Sequence, residues 1–78
     1  MAFAIRNLSV LAHANGFTLW HYKEKNRPIV IVGQDDFFVA AHDMLMVGDL
    51  IIVNAINGTC IMCVRQSSVH TVTTEPLS

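Results

Sequence analysis

The feature that most constrains the fold is an Asn-Gly pair, Asn57-Gly58, which lies between two apolar segments rich in β-branched residues. The first segment runs from Leu50 to Ile56 and the second from Thr59 to Val64. Asn-Gly is typical of a two-residue type I′ turn, in which both central residues have a positive φ angle. The pattern therefore predicts an antiparallel hairpin that turns at Asn57-Gly58.

A second Asn-Gly pair, Asn15-Gly16, predicts another turn earlier in the chain. The segment after it, Phe17 to Tyr22, alternates in a way that suits a strand with side chains on two faces. The segment before it, Leu8 to Ala14, fits either a strand or a helical turn.

The rest of the chain predicts three further elements. Pro28 to Gly33 is typical of a short strand that begins with proline. Phe37 to Met46 has apolar residues at helical spacing, with Asp35 or Asp36 as the cap and Gly48 after the end, so it predicts one short helix. Val69 to Thr74 predicts a last strand, and residues 75–78 are expected to fray.

These elements predict an all-β or β-rich α+β fold. We expect a small antiparallel β-barrel or sandwich of about five strands, with one short helix covering one end. Residues 1–78 form one domain in this interpretation.

Composition adds a constraint on assembly. The chain is 53% hydrophobic and only 14% charged, against about 45–50% and 25% in ordinary soluble domains. A domain of this length buries only about 60–65% of the surface of its unfolded chain. We therefore expect part of the apolar surface to be shared with a neighbouring copy.

Length and charge exclude several classes of protein. A chain of 78 residues is too short for a barrel enzyme of about 200 or more. The net charge of −1 and the pI of about 6.4 give no basic surface for nucleic acid. No apolar run reaches the ~18 residues of a membrane span, and we expect no secretory signal. Two cysteines are too few for a disulfide framework, so we expect synthesis in a reducing cytoplasm.

The candidate for redox or metal chemistry is the Cys-x-x-Cys pair, Cys60 and Cys63. Their spacing places the two thiols on opposite faces of a strand. A zinc site needs about four ligands, and a redox pair needs a helix N-terminus. Packing is the favoured interpretation, with metal binding and redox chemistry as alternatives. We predict no metal site, no cofactor and no catalytic residues.

Histidines, serines and acids do not form a recognisable catalytic pattern. The histidines are scattered, and Gly-x-Ser-x-Gly is absent. His21 is expected on the strand face opposite Trp20 and Tyr22, either as a surface residue or as a pH-sensitive one. Asp49 is expected to serve the turn after Gly48.

Large apolar side chains supply the candidate interface. Trp20 and Tyr22 share one strand face with Thr18, where they either fill the core or anchor an interface. The full set of interface candidates combines these aromatics with residues near the last strand: Phe17, Trp20, Tyr22, Val69 and Val72.

The chain resembles small structural proteins of tailed bacteriophages and prophages, of the capsid-decoration or head-fibre type. The block Phe-Thr-Leu-Trp-His-Tyr at residues 17–22 is the most specific part of this resemblance. The segments that carry it are Leu8 to Ala12, Asn15 to Tyr22, Ala40 to Leu45 and Val47 to Val53, and it extends to Val64. Lys23 to Val32 departs from the pattern, with a charged loop and an apolar segment.

The resemblance implies a non-enzymatic virion protein that decorates or cements the outer capsid surface. It implies a homo-oligomer, with three chains preferred, and the major capsid protein as partner. The protein would be made in the bacterial host cytoplasm and located on the virion. The alternative function is a small binding module for single-stranded nucleic acid or a peptide, with Phe17, Trp20 and Tyr22 as stacking surfaces; the acidic balance argues against a nucleic-acid partner.

Overall fold

In the part of the chain that the structure describes, five strands form one sheet and lie in it in the order in which they occur along the chain. The computed structural model describes residues 3–77. The strands are β1 (Leu8–Ala14), β2 (Phe17–Lys23), β3 (Leu50–Ala55), β4 (Gly58–Ser67) and β5 (Val72–Pro76). The other elements of the described residues are one α-helix, α1 (Ile29–Val32), and two 3₁₀ helices, Ile5–Asn7 and Val39–Ala41.

Three of the four strand pairings are antiparallel, and β2 pairs with β3 in parallel. A parallel pair needs a long crossover connection, and residues 24–49, which include α1, supply it. The predicted β-rich fold, with about five strands and one short helix, is confirmed.

Both predicted hairpins form, but the details of their turns differ from the prediction. The first turns at Asn15-Gly16 as expected, whereas the second turns at Ile56-Asn57, because Ala55 pairs with Gly58. Among the described residues outside glycine, only Asp36 has a positive φ, so the type I′ assignment is wrong for both turns. The Asn57 side chain is engaged elsewhere, since its Oδ1 accepts the Ile29 N–H at 2.9 Å.

The predicted strand from Pro28 to Gly33 is wrong, because this segment contains α1. Pro28 precedes the helix, and the Gly33 N–H donates to the Ile29 oxygen at 2.9 Å. Val32 is fully buried. Here the contacts of one helical turn with the sheet outweigh the β propensity of the β-branched residues.

The predicted helix from Phe37 to Met46 is also wrong. It contains only the 3₁₀ helix and isolated turns. A helix of this length is marginal without packing along one continuous face. Asp36 has a φ of 68° and does not cap a helix; its N–H donates to the Val72 oxygen at 2.8 Å, which ties the segment to β5.

The last strand begins later than predicted. Ser68 to Thr71 form a turn closed by an N–H···O bond of 2.8 Å between them, and β5 starts at Val72. The strand includes Glu75 and Pro76, which we expected to fray; residue 78 lies outside the described residues.

The core lies between one face of the sheet and the 24–49 connection. We call this face of the sheet the inner face. Its buried side chains, each at most 8% exposed, are Leu8, Trp20, Tyr22, Ile51, Val53, Met62, Val64 and Val72. The connection covers them with Val32, Phe38, Ala41 and Leu45. Phe38 packs edge-on against Tyr22, with ring centroids 5.2 Å apart.

Candidate interaction surface

The opposite face of the sheet is apolar as well, and we call it the open face. Strand pairing places two rows of side chains across it. The rows are Leu19–Leu50–Cys63 and His21–Ile52–Ile61. None of these residues belongs to the buried core cluster, and Ile61 is 43% exposed. The middle of the open face is therefore a largely apolar patch on three neighbouring strands, with His21 in it and the polar row Lys23–Asn54–Thr59 beside it.

The central strand β3 makes this surface unusual. Leu50 to Val53 is an uninterrupted apolar run, which is typical of a strand that is buried on both faces. Ile51 and Val53 are fully buried on the inner face, whereas Leu50 and Ile52 are only partly buried. The composition of β3 is thus typical of a strand whose side chains are buried on both faces, whereas this chain alone buries only those on the inner face.

The outer side of β1, which we call the β1 edge, is a second exposed region. Every residue of β1 except Leu8 is exposed, including Val10 and Leu11. No charged residue occurs between Arg6 and Lys23. A long, uncharged edge strand is a template for pairing with another chain.

The structure separates the predicted interface residues into two groups. Trp20, Tyr22 and Val72 are at most 6% exposed, so the core interpretation of the two aromatics holds. Phe17 is 37% exposed and Val69 is 63% exposed, so these two are accessible. Val69 lies in the β4–β5 turn, away from the open face rows. Phe17 lies two residues before Leu19 on β2, so it shares the open face with that row.

Asp49 has a larger role than the turn predicted for it. It is only 3% exposed, and its carboxylate accepts the Thr18 N–H and the Trp20 Nε1–H, each at 3.0 Å. It also accepts the Met46 N–H at 3.2 Å. A buried carboxylate is stable only when such donors replace water. Asp49 therefore fixes the start of β3 to β2 and holds Trp20 in the core; the sequence signal was an acid directly before a buried strand.

A second buried carboxylate, Glu24, lies at the other end of β2. Its Oε1 accepts the Tyr22 hydroxyl at 3.4 Å, and its Oε2 accepts the Asn26 N–H at 3.2 Å. The Tyr22 oxygen in turn accepts the Ala4 N–H at 3.0 Å. Burial raises the pKa of Tyr22 above its ordinary value, and the nearby Glu24 carboxylate raises it further. These bonds close the end of the core and offer no free group for chemistry.

The two cysteines lie on opposite faces, as the spacing predicts. Cys60 pairs with Val53 and packs against the core, whereas Cys63 pairs with Leu50 on the open face. Both thiols are free and partly buried. Within residues 3–77, no group of three His, Cys, Asp or Glu side chains is placed to hold a metal ion.

Several histidine and serine side chains form local hydrogen bonds. His21 lies opposite Trp20 and Tyr22, as predicted, and the Asn54 Nδ2 contacts its Nε2 at 2.7 Å. A shallow depression of about 470 Å³ is lined by His42, Asp43, Leu45, Met46, Val47 and Ser67. The Ser67 hydroxyl donates to the Leu45 oxygen at 2.7 Å, while the His42 Nδ1 lies 3.0 Å from the Val39 oxygen. Serine and histidine in this depression therefore do not form a nucleophile–base pair.

Among the described residues, the helices are all too short to cross a membrane. No family model matches this chain, and no curated protein or solved structure matches it either.

Proposed function

We propose that this chain is a non-enzymatic structural protein that assembles with copies of itself through the open face. The observation that carries the proposal is the two-sided apolar character of β3, of which one side is left without cover. A second copy that covers Leu50, Ile52 and Ile61 supplies the burial that such a strand favours. Small domains commonly gain the stability they need from oligomerisation.

The place of assembly that we propose is the outer surface of a tailed-phage capsid, with the major capsid protein as partner. This part of the proposal comes from the sequence resemblance, and so does the preference for three-fold contacts. Linked copies bind a repeating shell strongly even when each contact is weak, because the later contacts form within one complex.

The alternative binding module is less well supported. Base stacking needs accessible aromatic faces, and Trp20 and Tyr22 are enclosed in the core. Only Phe17 of the three proposed stacking residues is accessible.

Self-association is tested by a pair of matched substitutions. Ile61→Lys places a charge on the open face, and Ile56→Lys places the same charge in the β3–β4 turn, where Ile56 is 59% exposed. We expect sedimentation at micromolar concentration to give an oligomer for the wild type and for Ile56→Lys, and fewer chains for Ile61→Lys. A monomeric wild type would contradict the proposal.

The virion assignment is tested separately, on particles purified from the phage or prophage that encodes the chain. Quantitative mass spectrometry should find it in a fixed ratio to the major capsid protein. Its presence in the lysate but absence from intact particles would overturn the assignment to the capsid and leave self-association untouched.

A further inference from the structure

The two edges of the sheet differ in the backbone groups that they offer. The backbone N–H and C=O groups of successive residues point to alternate sides of a strand. In β5, the backbone N–H and C=O of Val72 point away from β4, since the N–H donates to the Asp36 Oδ1 at 3.1 Å and the oxygen accepts the Asp36 N–H. The backbone groups of Thr74 and Pro76 point the same way. Val72 is already bonded and proline has no N–H, so among residues 3–77 only Thr74 presents on this edge both a donor and an acceptor without a partner.

The β1 edge is more open. In β2, the Thr18 N–H donates to Asp49 and the Glu24 N–H donates to Asn54, both on the β3 side. The backbone N–H and C=O groups of Thr18, Trp20 and the other even-numbered residues of β2 therefore point towards β3 and away from β1. The backbone N–H and C=O groups of their partners in β1, His13 and Val10, then point outward. No group within residues 3–77 bonds to them.

The spacing of these outward groups is irregular. The register of β1 shifts between Val10 and Ala12, where Leu11 forms a bulge. Val10 and His13 are thus three residues apart, whereas outward residues of a regular strand are two apart. A regular partner strand can match one of them but not both.

We propose that the β1 edge pairs antiparallel with the β1 edge of a second copy around a two-fold axis. Val10 of each copy then faces His13 of the other, and each facing pair can exchange two N–H···O=C bonds. The bulge of one copy lies beside the bulge of the other, so the irregular spacing is matched. A second copy is the occupant that has this spacing by construction.

The side chains are compatible with this pairing. β1 carries no charge, so no like charges meet across the axis. The axis runs perpendicular to the sheet, so the open faces of the two copies lie on the same side of one continuous sheet. The β1 edge and the open face are different surfaces of the chain, so one copy can make both contacts. A two-fold axis through β1 that meets a three-fold axis at right angles gives an assembly of six chains.

This inference rests on the proposed self-association, and its test separates the two. His13→Pro removes the outward N–H without removing a backbone bond among the described residues, and proline is tolerated on edge strands. It also removes the 3.1 Å contact between the His13 Nδ1 and the Thr18 Oγ1, which His13→Ala removes as well. His13→Ala removes only the side chain, and Thr74→Pro makes the same backbone change on the β5 edge. Leu11→Lys, which brings two charges together near the axis, is a second variant that needs no proline.

We expect the wild type, His13→Ala and Thr74→Pro to sediment with the same even number of chains. His13→Pro and Leu11→Lys should contain half that number and keep the wild-type Trp20 fluorescence. An oligomer whose mass is unchanged in both β1 variants would overturn the β1 pairing and leave the proposed function standing. A monomeric wild type would overturn both.

Discussion

The two hairpins have the same Asn-Gly signal and very different surroundings. The β3–β4 hairpin has a strand on each side, and its inner side chains, Ile51, Val53, Met62 and Val64, are at most 2% exposed. The β1–β2 hairpin has a neighbour on one side only, and β1 is exposed from its second residue onward. Turn sequence thus identifies a hairpin, while neighbouring strands determine how much its packing contributes to stability.

The largest expected difference between the hairpins comes from truncating equivalent aliphatic residues. Ile51→Ala should lower the free energy of unfolding by about 2–5 kcal/mol, because it leaves a cavity in an enclosed site. Val10→Ala, at a position 44% exposed, should cost less than about 1 kcal/mol. Denaturant unfolding measures both, and equal losses would contradict the contrast.

The link between the hairpins gives the next effect. Asp49→Ala leaves the N–H groups of Thr18, Trp20 and Met46 without their acceptor, so we expect a loss of about 2–3 kcal/mol. The fluorescence of the single tryptophan should shift as Trp20 loosens. The control is Asp43→Ala, an exposed acid in the same connection, which should stay within about 0.5 kcal/mol of the wild type.

The glycines after the two asparagines give a third comparison. Gly58 has a φ of 151° and Gly16 a φ of 103°, so valine is strained at both positions by about 1–3 kcal/mol. Gly58→Val should show the full cost in thermal melting, because neighbours on both sides hold its register. Gly16→Val should cost less, because the exposed β1 can shift to relieve the strain. A larger loss for Gly16→Val would reverse this ranking.

The smallest expected effect concerns Tyr22, which lies at the enclosed end of the β1–β2 hairpin. It changes stability only at alkaline pH. Its pKa is raised by burial, so folding favours the neutral phenol. This stabilisation is complete below the unfolded pKa of about 10 and is lost as pH rises through the higher folded-state pKa. Ultraviolet absorbance of the single tyrosine, followed with thermal unfolding, should show tyrosinate forming together with loss of stability.

Tyr22→Phe is the control for that titration. It keeps the aromatic packing against Phe38 but has no phenol, so its stability should vary less above pH ~10. If the stability of the two proteins fell identically with rising alkaline pH, the loss of stability would belong to groups other than Tyr22.

The strands were predictable from local patterns, whereas the connection between them was not. Apolar alternation and Asn-Gly pairs placed β2 to β4 to within a few residues, and left Leu8 to Ala14 open between a strand and a helical turn. Ile29 to Val32 has the composition of a strand, yet its hydrogen bonds with distant residues such as Asn57 make it helical. The turn at Ile56-Asn57 differs from the prediction by one residue for the same reason.

The candidate site was predictable only in part. Composition indicated an apolar surplus, but not which side of β2 is covered. Trp20 and Tyr22 were equally plausible as core or interface, and the decision depends on Asp49, which is distant in sequence from both. Pairing register, which places Leu50 and Ile52 on the open face, follows from the parallel contact that no local pattern specifies.

The parallel pairing of β2 and β3 also has a consequence for the order of folding. Each hairpin joins residues close in sequence and can form in about 1–10 μs, but Leu19 meets Leu50 only after residues 24–49 have crossed over. Non-local contacts of this kind form late because the chain entropy is lost before the contact is gained. Asp49→Ala should therefore speed unfolding in stopped-flow measurements more than it slows refolding. Until β2 and β3 pair, neither hairpin has the cover that the 24–49 connection gives to its apolar inner face.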